Sequence, residues 1–342
     1  VHKHLRFWLG LAVSLVFLAL AFRNKDLGEM GRALLTADYR YLLPAIAVYF
    51  AGVYFRALRW RTLLRPVKPL RPGALFPIVV IGYMANNVLP ARIGEFVRAY
   101  LLAWRHDVGK SATLATIAIE RIFDGLTMIL FILVAALLVA LNQQIQMIAA
   151  LGAALFCGLL LGLVALGALP RLQVRLHAAL VRLLPDRLAG RLERIVFGFV
   201  SGLGALRSRA DLARVVATSL AAWLCEAGMY LIIGAAFDLG MIWPVALLTT
   251  AVANLFTLLP SSPGYVGIFE AGVLAVLVGL LGAPEAVALS YAIVLHAALW
   301  LPVTLLGFAC WGRESLGWRD LGRLQAQGAG GLTEPGLPAS RG

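Results

Sequence analysis

Asn86-Asn87-Val88-Leu89-Pro90-Ala91-Arg92-Ile93-Gly94-Glu95 interrupts an apolar run that begins at Ala74, and the run resumes only weakly over Phe96–Ala103. A second interruption, Pro260-Ser261-Ser262-Pro263-Gly264, divides Pro244–Leu259 from Tyr265–Leu281. Proline removes a backbone donor and glycine permits unusual dihedrals, so both places are forced breaks in a helix. Inside a bilayer such backbone persists only where protein buries it or where it lines a wet cavity. Both stretches therefore read as re-entrant hairpins, helices that enter the membrane and return on one side.

The rest of the chain makes a membrane the setting. Of 342 residues, 61% are hydrophobic and 14% are charged, against about 45–50% apolar and about 25% charged in soluble domains. That excludes a soluble globular fold, a collagen, a disulfide scaffold and a disordered chain. A crossing helix needs about 20 mostly apolar residues. Six stretches qualify: Phe7–Phe22, Tyr41–Leu58, Ser111–Leu141, Ile145–Leu169, Leu212–Phe237 and Ala286–Trp311. The fold class expected is an all-α polytopic membrane protein with six crossings and two oppositely oriented hairpins.

Charge fixes the orientation. The net charge of +13, from 30 Lys+Arg against 17 Asp+Glu, sits mostly in segments between apolar blocks, which is the positive-inside bias and argues against nucleic acid. Six crossings plus two hairpins put Lys3 and Arg6, the cluster from Arg56 to Arg71, the arginines of 171–209 and those after Arg313 on the cytoplasmic side. Arg23, Lys25, Arg32 and Arg40 fall outside, offset in part by Asp26, Glu29 and Asp38. Counting each hairpin as one crossing would place the eight arginines of 171–209 outside, so the re-entrant reading is preferred. Lys3 and Arg6 ahead of Phe7–Phe22 imitate a secretory signal, but a retained first helix is expected. The domain expected is 1–312, including an amphipathic cytoplasmic segment at 170–211, followed by a largely disordered cytoplasmic tail at 313–342.

The first hairpin then opens from the cytoplasm and the second from the outside. Breaks at corresponding places in two opposed halves mark inverted-repeat transporters, so an inverted repeat is expected. The residues in and near the breaks are the binding candidates, because an ionisable group at bilayer depth needs a partner or a task. From the first break come Asn86, Asn87, Arg92, Glu95 and Arg98, whose guanidinium groups suit a phosphate. From the third crossing come Glu120, Arg121 and Asp124, an ion-pair lock or a set of substrate contacts. From the second break come Ser261, Ser262, Gly264 and Glu270, next to Asn254. Glu226 and His296 stand alone in mid-span, packing residues or carriers of a proton. Cys157, Cys225 and Cys310 lack metal or redox spacing, and no Walker motif, HExxH or nucleophile elbow occurs.

The blocks Arg56-Ala-Leu-Arg-Trp60, Asn86-Asn-Val-Leu-Pro-Ala-Arg-Ile-Gly-Glu-Phe-Val-Arg98, Ile119-Glu-Arg-Ile-Phe-Asp124 and Pro260-Ser-Ser-Pro-Gly-Tyr-Val-Gly-Ile-Phe-Glu270 closely resemble the transmembrane, flippase-like region of lysylphosphatidylglycerol synthases. In bifunctional members this region is joined to an aminoacyltransferase; the resemblance here implies a stand-alone member without that domain. It further implies a lipid translocator in a bacterial inner membrane, with both termini cytoplasmic. The expected partner is a membrane lipid, anionic phospholipid or other polar lipid, with a second copy of the chain or a lipid-synthesis enzyme as a protein partner. No catalytic residue, metal or cofactor is expected, and the chain is expected not to be an enzyme. The alternative is an intramembrane enzyme or accessory subunit of a lipid or glycolipid pathway.

Overall fold

The computed structural model describes residues 26–89, 93–140, 208–259 and 263–313, with scattered positions between 143 and 178. Among the described residues every regular element is helical. The helices are α1 (Leu27–Thr36), α2 (Leu42–Leu64), α3 (Pro72–Val88), α4 (Gly94–His106), α5 (Lys110–Leu138), α6 (Arg209–Ala236), α7 (Trp243–Phe256), α8 (Ile268–Leu277) and α9 (Glu285–Gly312). Four spans are long and apolar enough to cross a membrane: Tyr39–Leu64 (α2 with a 3₁₀ turn before it), α5, α6 and α9. The expected crossing Phe7–Phe22, most of the expected crossing Ile145–Leu169, most of the 170–211 segment and nearly all of the 313–342 tail lie outside the described residues.

Both breaks interrupt the helices where proline and glycine require it. Helix α3 starts on Pro72, runs through Pro77 and ends when Leu89 turns extended. Helix α4 begins at Gly94 and is stopped at Asp107, which takes a left-handed conformation. Helix α7 ends at Phe256, and α8 begins only at Ile268, later than the expected resumption at Tyr265. The delay has a backbone cause. Gly264 (φ 76°), Tyr265 (φ 61°) and Gly267 (φ 86°) all lie in the left-handed region, where a helix cannot propagate.

The packing repeats along the chain. Helix α3 lies against α4 and α9, as α7 lies against α8 and α5; α4 meets α5, as α8 meets α9; and α2 packs along α6. Each broken pair is thus held by a long helix of the other half. Glycines permit the close passages. A β-carbon on Gly94 would collide with the Gly82 carbonyl oxygen, and one on Gly272 would stand 2.8 Å from Ala253 Cα.

Two expectations are corrected. Helix α2 does not end at Leu58 but continues to Leu64, so Arg56 and Arg59 are not part of a cytoplasmic loop. They are buried, with exposures of 6% and 0%, because acids from α5 and α6 meet them inside the bundle. The segment between the first two expected crossings also carries α1. Asp26 caps it by accepting from the amides of Gly28 and Glu29, and Met30 packs with Ala286 and Leu289 of α9.

Candidate functional site

The charged residues form two layers. The inner layer is a buried lattice tying α2, α4, α5 and α6 together. Arg59 donates to Asp124 at 2.6 Å and to Ser219 at 3.1 Å, and Trp223 Nε1 donates to the same Asp124 oxygen at 2.8 Å. Arg98 donates to Glu120 at 2.8 Å and lies 4.0 Å over the Trp60 ring, while Glu120 also approaches Arg59 at 3.9 Å. Buried charges in such numbers survive only when paired. Here the sequence places arginines on α2 and α4 opposite acids on α5.

The outer layer lines a cavity of about 170 Å³ where both broken helices meet the long ones. Asn86, Asn87, Glu95, Arg121 and Asp124 line it together with Arg56, Tyr83, Trp223, Glu226, Asn254, Tyr265, His296 and Trp300. Its depth follows from helix positions. Asp124 is the fifteenth of the 29 residues of α5, Glu226 the eighteenth of 28 in α6, and His296 the twelfth of 28 in α9. All three sit near the middle of spanning helices. The volume is a few waters' worth at about 30 Å³ each; a small polar group fits, and whole acyl chains do not.

Each break is stitched by its own side chains. In the first, Asn86 Oδ1 accepts from Gly94 N at 2.7 Å and its amide nitrogen lies 3.5 Å from Glu95, while Asn87 donates to Thr304 of α9 at 2.9 Å. In the second, Glu270 accepts from Gly267 N at 2.6 Å and its other oxygen is 2.6 Å from His296 Nδ1. The two tips touch. A β-carbon on Gly264 would be 2.9 Å from Trp300 Nε1 and 3.5 Å from the Asn87 carbonyl oxygen, so Gly264 is a contact between breaks.

The expected site residues therefore divide. Asn86, Asn87, Glu95, Arg121 and Asp124 come together at the cavity. Arg98, Glu120 and Glu270 are buried behind it, held by Trp60, by each other and by His296. The reason is pairing: Arg98 Nη1 is bound to Glu120 and its guanidinium lies over Trp60, although its Nε and Nη2 are buried without a hydrogen-bond partner. Arg92, Ser261 and Ser262 lie outside the described residues. Arg121, with 45% of its side chain exposed and a 3.4 Å contact to Asp124, is the cavity cation most open to a ligand.

Sequence reading missed Arg56 as a site residue. It pairs with Glu226 at 2.7 Å and stacks 4.4 Å over Trp223, and Asn254 donates to the same carboxylate at 3.1 Å. The available signal was a pair of mid-span charges of opposite sign, Arg56 and Glu226, each needing the other. Tyr49, Tyr83, Trp223 and Trp300 gave no signal, since aromatic residues in apolar helices read as packing.

Comparison with known proteins adds three relatives. The chain is 29% identical over 322 residues to Glycosyltransferase AglD of Haloferax volcanii, a match covering 84% of this chain and 51% of that protein. It thus spans about half the length of AglD. It is 28% identical over 295 residues to a UPF0104 membrane protein of Methanothermobacter thermautotrophicus, covering 81% and 84% of the two chains. It is 30% identical over 139 residues to the UPF0104 membrane protein PH1989 of Pyrococcus horikoshii, covering 40% of each. These relatives are archaeal. No solved structure matches with comparable significance. The likeness to AglD corrects the expectation that the chain is not an enzyme: most of the chain aligns with part of a protein named as a glycosyltransferase. The model of the lysylphosphatidylglycerol synthase TM region matches residues 7–307, and the chain belongs to that family.

Proposed function

We propose that the chain holds the polar headgroup of a membrane lipid in the cavity between its two broken helices and passes it between leaflets. The observation that carries this reading is a polar cavity at mid-helix depth, lined by both breaks and by the long helices of both halves. Arg121 and Arg56 suit a phosphate. The carboxylate of Glu95, the amides of Asn86, Asn87 and Asn254, and the rings of Tyr83, Trp223 and Trp300 suit the polyol or amine beyond it. The exchange-symmetric packing of α2–α5 and α6–α9 supports an inverted repeat, whose halves would open the cavity to one leaflet and then to the other. The membrane is the cytoplasmic one of a bacterium or archaeon, with both termini in the cytoplasm by charge.

The test is reconstitution in liposomes with a fluorescent polar lipid and a membrane-impermeant quencher. Wild type exposes inner-leaflet lipid to the quencher, and Arg121→Ala slows that exposure at least tenfold. Equal rates would remove Arg121 and its cavity from the mechanism. A second reading is favoured by the likeness to AglD: the domain presents a lipid-linked substrate to a glycosyl-transfer reaction. Under that reading, substitution of Arg121 lowers glycolipid product while leaflet exchange is unchanged.

A further inference from the structure

We propose that His296 is a proton-binding site facing the cavity, coupling the cavity's proton occupancy to the second broken helix. Its purpose rests on the headgroup reading; its existence as a proton site does not. His296 lies near the middle of α9, where an ionisable side chain requires a partner or a task. It has both. The partner is Glu270, with Nδ1 to Oε1 at 2.6 Å. The other Glu270 oxygen accepts from Gly267 N at 2.6 Å, so the carboxylate is fully engaged by the protein and is not a cavity wall.

A proton on Nδ1 satisfies Glu270 and leaves Nε2 as the nitrogen that takes up a second one. A buried carboxylate behind an imidazole orients the ring and selects its tautomer, as in catalytic triads. His296 itself lines the cavity, which gives the arriving proton a route. Phe269 lies against the ring at 4.6 Å. The other charged and titratable groups lining that space are Tyr49 and Arg56 from α2, Tyr83 from α3, Glu95 from α4, Arg121 and Asp124 from α5, Glu226 from α6 and Tyr265 from the second tip. Arg56 is paired with Glu226 and Arg121 with Asp124, so a proton on His296 answers the Glu270 carboxylate, 2.6 Å away, and leaves those pairs as they are.

The mechanical consequence lies at the tip. Gly264, Tyr265 and Gly267 are held at positive φ, and Glu270 caps the last of them. When His296 is charged, its contact with Glu270 is a salt bridge that clamps the cap of α8 to α9. When it is neutral, a hydrogen bond remains and the clamp weakens. Proton binding at His296 therefore stiffens the second break and has no counterpart among the described residues of the first.

Histidine NMR of the full-length protein in nanodiscs tests the site, since the chain has only five histidines. The signal that disappears in His296→Gln moves reversibly as the pH is changed, and Glu270→Gln changes that movement in a still folded protein. A signal that does not move overturns the proposal, whether or not any lipid is carried. In proteoliposomes, an imposed pH gradient changes the wild-type lipid exposure rate several-fold, and His296→Gln loses that response relative to its own rate without a gradient. An equal response in the two proteins overturns the coupling. If no lipid is exposed at all, the headgroup reading fails, while the titration still decides the proton site.

Discussion

Among the described residues, the first broken helix is held by amides and the second by a carboxylate and an imidazole. In the first, Asn86 caps Gly94 and Asn87 ties the tip to Thr304 on α9. In the second, Glu270 caps Gly267 and ties the segment to His296 on the same α9. Both breaks face one geometric problem, a run of helix-start amides next to a long helix at bilayer depth. A neutral solution is insensitive to protons and is worth little more than its hydrogen bonds. A carboxylate–imidazole solution can be made stronger or weaker by one proton. The two breaks are alike in shape and different in control.

The comparison can be broken most severely at the ionic side. Glu270→Ala leaves Gly267 N and His296 without their partner, and unfolding in detergent is expected to shift by about 3–5 kcal/mol if the imidazole is charged. Gly94→Ala tests the shape that the breaks share: its β-carbon meets the Gly82 carbonyl oxygen, so the arms must part at a cost of about 1–3 kcal/mol, read in the same assay. Asn86→Ala removes the first cap and should cost about 1 kcal/mol. Asn87→Ala should cost about 0.5–1.5 kcal/mol with protection loss confined to the tip, measured by hydrogen exchange. If Asn86→Ala proved as damaging as Glu270→Ala, the distinction between an amide seam and an ionic one would fall.

Much of this arrangement was legible in the chain. Pro90 with Gly94, and Pro260 with Pro263 and Gly264, announce both breaks, because helix-breaking residues crowded within a few positions disrupt an apolar helix where a lone one, such as Pro77, does not. The long helices α5, α6 and α9 follow from apolar length, with ends within a few residues of expectation. What escaped were long-range partnerships. Arg56 and Arg59 stand beside Arg61 and Arg65, so local charge reads them as a cytoplasmic cluster. Only Glu226, 170 residues away, and Asp124, 65 residues away, make them interior. Arg98 was read as a phosphate ligand for the same reason: its spacing to Glu95 is visible, and its stacking on Trp60 is not. Helix α1 was missed because charge balance alone describes a loop, although Asp26 followed by Glu29 is a helix-start signal.

The account stands on a polar cavity reached by water at mid-membrane depth, between the two breaks. Cysteine labelling tests it most directly: in a protein with Cys157, Cys225 and Cys310 replaced, Asn87→Cys and Thr257→Cys are exposed to a membrane-impermeant thiol reagent in proteoliposomes. Both positions are expected to react, and more slowly when a polar lipid is supplied. Failure of both to react, in a protein that unfolds normally, would mean that the breaks are sealed in protein or lipid and enclose no site.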